Sequence, residues 1–388
     1  MQHSNSILFT PHRIGPCVIK NRFIRSATWS NLVNQDGNPT KQLFEHYENL
    51  AENEVGLIIS GYTYINPSGR RRRNQLCLNK PSQATSWQYP IQKLHNLGAK
   101  FFFQISHAGC HKFPSVRRPN ELMLGPSPFG ENSRAMTEAE IEDTINDFVT
   151  SAKIAELTGA DGVQIDCGHG NLLSQFLSPA LNHRTDKWGG DDENRLRIVH
   201  EIVKNIRKEV KKNFAISVKI NGHDCIQGGV TPDLAAKYIM KLPDVQMFEI
   251  TCGVLNQMTS IRSRTNEESM TRNATEEQKV KIKKTASKAD PQYPFYEGYN
   301  NKYAEEIRRI VGPNPTLAVV GGLRQFSMME KIVKEGTVDF VALCRPFIRQ
   351  PKIVAEFKKN AAKSKCHSCG ECSLKRPTNA IECTWPKF

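Results

Sequence analysis

The chain has 388 residues, a formal net charge of +14, 38% hydrophobic residues and 24% charged residues. This composition is typical of a soluble globular protein, and no apolar run approaches the ~20 residues that a membrane-spanning helix needs. The first apolar segment, 7–9, is too short for the core of a signal peptide. Basic residues are spread along predicted helical faces, which argues against a nucleic-acid partner and leaves a small-molecule substrate.

Cysteine usage bears on the redox compartment. Seven of the eleven cysteines stand singly, and the other four lie within the last 23 residues. This distribution favours reduced thiols over a disulfide framework, and we therefore expect a cytoplasmic protein.

Eight short runs rich in β-branched or aromatic residues alternate with longer segments of helical period. The predicted strands are 23–27, 56–60, 100–105, 162–165, 215–220, 247–250, 316–319 and 338–343. The predicted helices are 42–53, 83–96, 138–157, 194–212, 232–241, 302–311, 327–334 and 353–362. The alternation is typical of the α/β class, and eight pairs favour a closed (β/α)8 TIM barrel. An open doubly wound sheet is disfavoured because the first β/α turn lacks a glycine-rich dinucleotide motif.

The predicted domain organisation is a barrel over 1–362 followed by a cysteine-rich tail over 363–388. A long polar segment, 262–298, interrupts the barrel after its sixth strand, at the end where such barrels build their active sites. Two interpretations stay open for it: a lid over the site, or a surface insertion. Two also stay open for the basic run Arg70–Arg73, which is either a solvated loop or an attractor of a phosphorylated reductant or an acidic substrate.

Polar residues stand where the predicted strands end, which is where catalytic groups of β/α barrels lie. After the last two strands come Gly321 with Gly322 and then Arg345, a combination that suits a phosphate. Lys219 ends strand five and can stabilise an anionic ring or an enolate. Gln104 ends strand three and offers both a donor and an acceptor to a heterocycle. Together they indicate a planar cofactor that carries a phosphate tail.

Several motifs carry a resemblance to a known family. LFTPHRIGPCVIKNRFIRSATWS (8–30), QISHAG (104–109), HGNLLSQFLSPALNHRTDKWGGDDENR (169–195), VVGGLR (319–324) and CRPFIRQP (344–351) resemble, in order, the motifs of Old Yellow Enzyme-like flavoproteins. The resemblance implies an FMN enzyme in which NADH or NADPH reduces the flavin, and reduced flavin passes hydride to an activated alkene, a quinone, a nitro compound or a similar acceptor.

The resemblance also implies roles for individual residues. Ten positions would bind FMN: Ser26, Ala27, Thr28, Gly61, Gln104, Lys219, Gly321, Gly322, Cys344 and Arg345. Of these, the first four would line the flavin ring, Gln104 would bond its pyrimidine edge, and Lys219 would face its N1 and O2 side. The last four would take the ribityl phosphate.

The catalytic positions depart from the family pattern. Where the family has two carbonyl-polarising donors and then a tyrosine, this chain has Asp166, His169 and Asn171. His169 keeps the expected role, whereas Asp166 can donate only when it is protonated, unless it orients His169 from behind. Asn171 cannot supply a proton, so the proton would come from water or from a residue such as Tyr62 or Tyr299, or else the acceptor is not an alkene. Trp29 replaces a small polar residue and serves either packing or flavin tuning.

The tail holds Cys366, Cys369, Cys372 and Cys383, whose close spacing is typical of metal ligands. It resembles the cluster of the dienoyl-CoA reductase branch of the family. Three outcomes stay open for these cysteines: an iron–sulfur cluster, a zinc ion, or thiols without a metal.

Two further functional hypotheses compete with the flavin reductase. One is a barrel enzyme without flavin that acts on a phosphorylated substrate, with Lys219 as an amine nucleophile or base. The other is an FMN-binding barrel with little turnover, for which the changes at Asp166 and Asn171 are the argument.

Overall fold

A computed structural model of the chain describes residues 2–254, 275–277, 279–280, 296–368, 372 and 380–383. Its strands are β1 (His12–Ile14), β2 (Cys17–Ile19), β3 (Phe23–Arg25), β4 (Leu57–Ile59), β5 (Thr63–Tyr64), β6 (Lys100–Ser106), β7 (Met123–Gly125), β8 (Ser133–Ala135), β9 (Gly162–Cys167), β10 (Ala215–His223), β11 (Met247–Cys252), β12 (Leu317–Val320) and β13 (Phe340–Leu343). Eight of them, β3, β4, β6, β9, β10, β11, β12 and β13, pair in parallel in that order. The pairing of β13 with β3 closes the ring, which confirms the predicted (β/α)8 barrel.

The helices that follow the strands cover the barrel. They are α1 (Lys41–Glu52), α2 (Thr85–Asn96), α3 (Glu138–Leu157), α4 (Leu172–Leu177), α5 (Asp192–Glu209), α6 (Pro232–Met240), α7 (Asn301–Val311), α8 (Phe326–Lys334), α9 (Arg345–Arg349) and α10 (Ile353–Lys358). Helix α3 begins as its capping motif predicts, because the Thr137 hydroxyl accepts from the Glu140 N–H and the Glu140 carboxylate accepts from the Thr137 N–H. None of the helices in the described ranges has both the length and the apolar character that crossing a membrane requires.

The bottom of the barrel is sealed by an N-terminal hairpin. Strands β1 and β2 pair antiparallel, and Ile14 and Ile19 are fully buried. They pack in one apolar cluster with residues at the amino ends of barrel strands, such as Met247 and Phe340. Because apolar side chains fill this end, only the carboxyl end of the strands is left for polar chemistry.

The predicted elements agree with the observed ones to within a few residues at each end. All eight barrel strands and all eight predicted helices are confirmed, and the bounds of α3 match the prediction. The hairpin β1–β2, the parallel pair β7–β8 and the short helices α4 and α9 were not predicted. They are short additions to the eight strand–helix pairs and take no part in the alternation from which the barrel was predicted.

Most of the predicted lid-like insertion, 262–298, lies outside the described residues, and so does the greater part of the tail beyond residue 368. The described end of the insertion is anchored to the barrel. Glu297 forms an ion pair with Arg324, in which Nε and a carboxylate oxygen are 3.0 Å apart.

Candidate active site

One cavity at the carboxyl end of the barrel gathers most of the predicted site residues. Its lining includes Ser26, Ala27, His169, Lys219, Gly321, Gly322, Cys344 and Arg345. The other predicted residues adjoin this group: Thr28 Oγ1 lies 3.0 Å from Cys344 Sγ, and Gly61 packs against the backbone of Thr28. The strands therefore bring together, in three dimensions, positions that are hundreds of residues apart in the chain.

The glycine pair that follows β12 is required by its surroundings. Gly321 and Gly322 have φ angles of +138° and +70°, which L side chains rarely adopt. A Cβ on Gly321 would lie 2.5 Å from the Asn300 amide, and a Cβ on Gly322 would lie 2.6 Å from the Tyr299 ring. Arg345 lines the same cavity as this turn, and its guanidinium donates to the Ser368 carbonyl at 3.3 Å.

A buried network, which the sequence analysis missed, forms the floor of the cavity. Lys219 Nζ lies 2.9 Å from Glu249 Oε1 and 2.9 Å from Ser26 Oγ, and the Ser26 hydroxyl donates to the same carboxylate at 2.6 Å. Glu249 is 0% exposed. The signal was present, because Glu249 is the one charged residue in an apolar strand, and it stands beside Lys219 in the pairing of β10 with β11.

The network continues to the predicted Gln104. The amide of Gln164 donates to Glu249 Oε2 at 2.7 Å, and its oxygen accepts from Gln104 Nε2 at 2.8 Å. Gln104 thereby keeps its oxygen and one N–H for a further partner. Ligand binding at this floor would not have to organise the side chains first.

The predicted catalytic residues lie at the end of β9. Asp166 accepts hydrogen bonds from the Ser106 hydroxyl at 2.9 Å and from the Asn171 amide at 2.6 Å. Burial raises the pKa of the Asp166 carboxyl above its ordinary value. His169 has a left-handed φ of +58°, and its Nε2 lies 2.7 Å from Thr251 Oγ1. The imidazole is therefore held by Thr251 of β11, at the wall of the cavity.

Two tyrosines were predicted as alternative proton donors, and they occupy different places. Tyr299 lines the cavity, and its ring packs on the glycine pair, so it belongs to the predicted phosphate end. Tyr62 lies instead beside Arg71, whose guanidinium carbon is 5.8 Å from the centre of the Tyr62 ring. The indole of Trp29 donates to the Asn74 carbonyl at 2.9 Å and packs against Arg72.

The basic run after β5 is not uniformly solvated. Arg71 is buried, and the Arg72 guanidinium is stacked between aromatic rings, 4.4 Å from the centre of Trp29 and 4.6 Å from that of Phe113. The solvated-loop interpretation is therefore wrong for Arg71.

The described cysteines of the tail lie near the predicted phosphate end. The Cys366 and Cys383 thiols are close enough to influence each other electrostatically, and Arg349 Nη1 lies 3.8 Å from Cys383 Sγ. Cys369 lies outside the described residues. Within the described ranges no group of three or more His, Cys, Asp or Glu side chains could hold a metal ion. Metal binding by the tail stays a prediction.

The chain belongs to the NADH:flavin oxidoreductase / NADH oxidase family, whose sequence model matches residues 7–292. It is 31% identical over 374 residues to the NADH oxidase of Thermoanaerobacter brockii, a match that covers 93% of this chain and 52% of that protein. The family resemblance expected from the motifs is thereby confirmed.

Solved structures agree with this assignment. A 2-naphthoyl-CoA reductase in complex with 2-naphthoyl-CoA superposes with a TM-score of 0.79 at 25% identity, covering 95% of this chain and 54% of that one. An Old Yellow Enzyme homologue from Zymomonas mobilis shares the fold with a TM-score of 0.72 at 24% identity, covering 92% of this chain and 94% of that one. The chain thus spans about half the length of the NADH oxidase and of the 2-naphthoyl-CoA reductase that it matches.

Proposed function

We propose that this protein holds FMN across the mouth of its barrel and transfers reducing equivalents from NADH or NADPH to a small-molecule acceptor. One observation carries the proposal. A single cavity has a glycine turn and Arg345 at one end, and Ser26 and Lys219 at its floor, which suits a planar ring with an anionic tail. Bound FMN would supply two-electron redox chemistry, taking hydride from the nicotinamide and giving it to the acceptor.

The residues present fit the cofactor in both of its parts. Gly321 and Gly322 line the cavity and have no side chains to cover their backbone, so a phosphate could approach their N–H groups. Arg345 lines the same cavity. Cys344 lies beside Arg345, and Thr28 with Gly61 adjoins it from the first two strands. At the floor, two N–H groups of Lys219 are used by Ser26 and Glu249, which leaves the third for an electronegative edge of the ring.

The acceptor would bind against His169 and Asp166. Thr251 bonds Nε2 of His169 and so orients the imidazole at the wall of the cavity, against which an acceptor carbonyl would bind. The raised pKa of Asp166 favours its protonated form, and a protonated carboxyl can donate a hydrogen bond to a developing oxyanion. An activated alkene with a carbonyl group is therefore the acceptor we favour over a quinone or a nitro compound.

The competing barrel enzyme without flavin is less consistent with the geometry. That hypothesis needs Lys219 as a neutral amine, since only the neutral form is nucleophilic. The ion pair with the fully buried Glu249 stabilises the protonated form instead.

A visible absorption spectrum of the purified protein tests the proposal. We expect flavin absorbance, anaerobic bleaching by NADPH or NADH, and recovery of the absorbance when an enone such as 2-cyclohexenone is added. A folded protein that takes up no FMN on reconstitution would refute the cofactor assignment. A yellow protein that neither nicotinamide bleaches would favour an FMN-binding barrel with little turnover.

The prediction of an iron–sulfur cluster or a zinc ion at Cys366, Cys369, Cys372 and Cys383 is tested separately. Iron, acid-labile sulfide and zinc would be measured per chain in protein purified without oxygen. A stoichiometric metal that is lost in Cys366→Ser and kept in Cys17→Ser would establish a metal site in the tail, since Cys17 is buried at the opposite end of the barrel. Absence of metal from the anaerobic protein would leave the thiols unligated.

A further inference from the structure

Arg71 is a buried cation that forms no ion pair within the described residues, although the Asp166 carboxylate behind Asn171 acts on it electrostatically. Only 9% of the residue is exposed, and its guanidinium bonds two neutral groups: Nη1 donates to Asn171 Oδ1 at 3.3 Å, and Nη2 lies 2.9 Å from His111 Nε2. Its Nε is buried and has no acceptor among the described residues. Burial lowers the pKa of Arg71 to about 10. Because buried charges in proteins are nearly always paired, this arrangement is incomplete.

A second buried polar group beside Arg71 also lacks a partner. The Tyr62 hydroxyl is shielded from solvent and makes no hydrogen bond within the part of the chain that the structure describes. The Arg71 guanidinium carbon lies 5.8 Å from the centre of the Tyr62 ring and 5.6 Å from that of Phe113. The Arg71 Nε and the Tyr62 hydroxyl are thus two unsatisfied donors beside the rings of Tyr62 and Phe113. Buried donors of this kind are rarely left unsatisfied in native proteins.

We call this group, Arg71 with Tyr62, His111, Phe113 and Asn171, the Arg71 corner. It adjoins the predicted catalytic residues. The Asn171 side chain that accepts from Arg71 donates in turn to Asp166 at 2.6 Å, and Asn171 stands two residues after His169. A group bound at Arg71 would therefore belong to a molecule that also reaches the cavity. The other cations of the corner are occupied, since Arg72 is stacked between rings and Lys112 forms an ion pair with Glu121 at 2.6 Å.

We propose that Arg71 and Tyr62 bind a carboxylate of the electron acceptor, so that this enzyme acts on small unsaturated acids. A carboxylate is planar and presents two oxygens to the edge of a guanidinium, and a tyrosine hydroxyl can donate to one of them. The single guanidinium of Arg71 and the hydroxyl of Tyr62 match the one negative charge and the two oxygens of a carboxylate. This inference rests on the proposed function, which supplies the reaction, but its test does not depend on turnover.

The experiment is calorimetric titration of the oxidised, FMN-loaded protein with trans-cinnamate and with its neutral analogue trans-cinnamamide. We expect cinnamate to bind the wild type roughly tenfold or more tightly than the amide, because it adds charge-assisted hydrogen bonds. Arg71→Met should abolish this preference. The matched control Arg72→Met should retain it, since the Arg72 guanidinium is stacked on rings rather than directed at the site.

Thermal melting separates a ligand-binding role from a structural one. If Arg71 awaits a ligand, Arg71→Met removes an uncompensated buried charge, and its melting temperature without ligand should equal or exceed that of the wild type. A large drop in melting temperature would identify Arg71 as a structural residue and overturn the proposal. Tyr62→Phe keeps the ring, and it should weaken cinnamate binding severalfold while it leaves amide binding unchanged.

Other outcomes are equally decisive. Equal affinity of the wild type for cinnamate and cinnamamide would overturn the proposal, and so would inorganic phosphate that displaces cinnamate at comparable concentration, since that result points to a phosphate of the reductant. A wild type without FMN would refute the proposed function alone, because the two titrations can still be read on the apoprotein.

Discussion

Two of the cations buried at the carboxyl end of the barrel, Lys219 and Arg71, are treated in opposite ways. Lys219 is paired with Glu249 at 2.9 Å, and Arg71 meets only the neutral acceptors Asn171 and His111. A buried charge is stable when an opposite charge compensates it, so the Lys219 floor is complete before any ligand arrives, and the Arg71 corner is not. We therefore interpret the Lys219 floor as a preorganised frame for the proposed cofactor. We interpret the Arg71 corner as a recognition element for the proposed substrate.

The largest effect that we expect from this difference is on stability. Glu249→Leu leaves Lys219 buried without its counterion, and we expect the free energy of unfolding to fall by about 3–5 kcal/mol. Denaturant titration measures it. The double variant Lys219→Met/Glu249→Leu should recover most of the loss, because it removes both charges. If Glu249→Leu is as stable as the wild type, the two cations do not differ in the way described.

His169 tests the region between the two cations. Its imidazole lines the cavity, so His169→Ala should slow reoxidation of the reduced flavin by an enone roughly 100-fold, as expected when one oxyanion donor is lost. Flavin content should stay near that of the wild type. Stopped-flow absorbance follows reoxidation directly, and the exposed His183, changed to alanine, is the matched control. Unchanged reoxidation would remove His169 from the site.

Arg345 tests the end of the cavity where the cofactor phosphate would bind. Arg345→Ala should weaken FMN binding about 10- to 100-fold, the usual effect of losing a charge-assisted hydrogen bond. The ratio of flavin to protein absorbance after gel filtration reports the loss. Arg349→Ala, in the same helix but beside Cys383, should retain the flavin. Equal flavin content in the two variants would contradict the phosphate assignment.

The two regions also differ in how far the sequence predicts them. The predicted phosphate end can be recognised from short stretches of sequence. Paired glycines after one strand and an arginine after the next suit a phosphate at the mouth of such a barrel. The eight strands and helices were predictable for a related reason, since the alternation of short apolar runs with helical segments repeats eight times along the chain.

The substrate end depends on contacts between distant parts of the chain. Nothing in the run Arg70–Arg73 distinguishes Arg71 from its neighbours, and its burial results from three loops that meet above the barrel. Glu249 was also missed, although its signal is local, because a charged residue within an apolar strand must have a partner. Its pairing with Lys219 depends on the register of β10 and β11, and that register is a property of the closed barrel.

The smallest expected effect concerns the pH dependence of stability around the Arg71 corner. His107 lies beneath the loop that carries Arg71, with its Nε2 3.1 Å from Ser68 Oγ, and burial lowers the pKa of this histidine to about 3. The folded protein therefore holds His107 neutral at pH values where the unfolded chain, with a pKa near 6.5, takes up a proton.

The stability contributed by neutral His107 is complete above about pH 6.5 and is lost as the pH falls from there toward 3. The slope for one such group is about 1.4 kcal/mol per pH unit, or roughly 2 kcal/mol between pH 6.5 and pH 5. His107→Asn should reduce the pH dependence of the unfolding free energy by that amount, whatever its absolute stability. The half-exposed His200, changed to asparagine, should leave the slope unchanged. An unaltered slope in His107→Asn would mean that a protonated histidine is tolerated beneath this loop, and that neutral His107 contributes no pH-dependent stability.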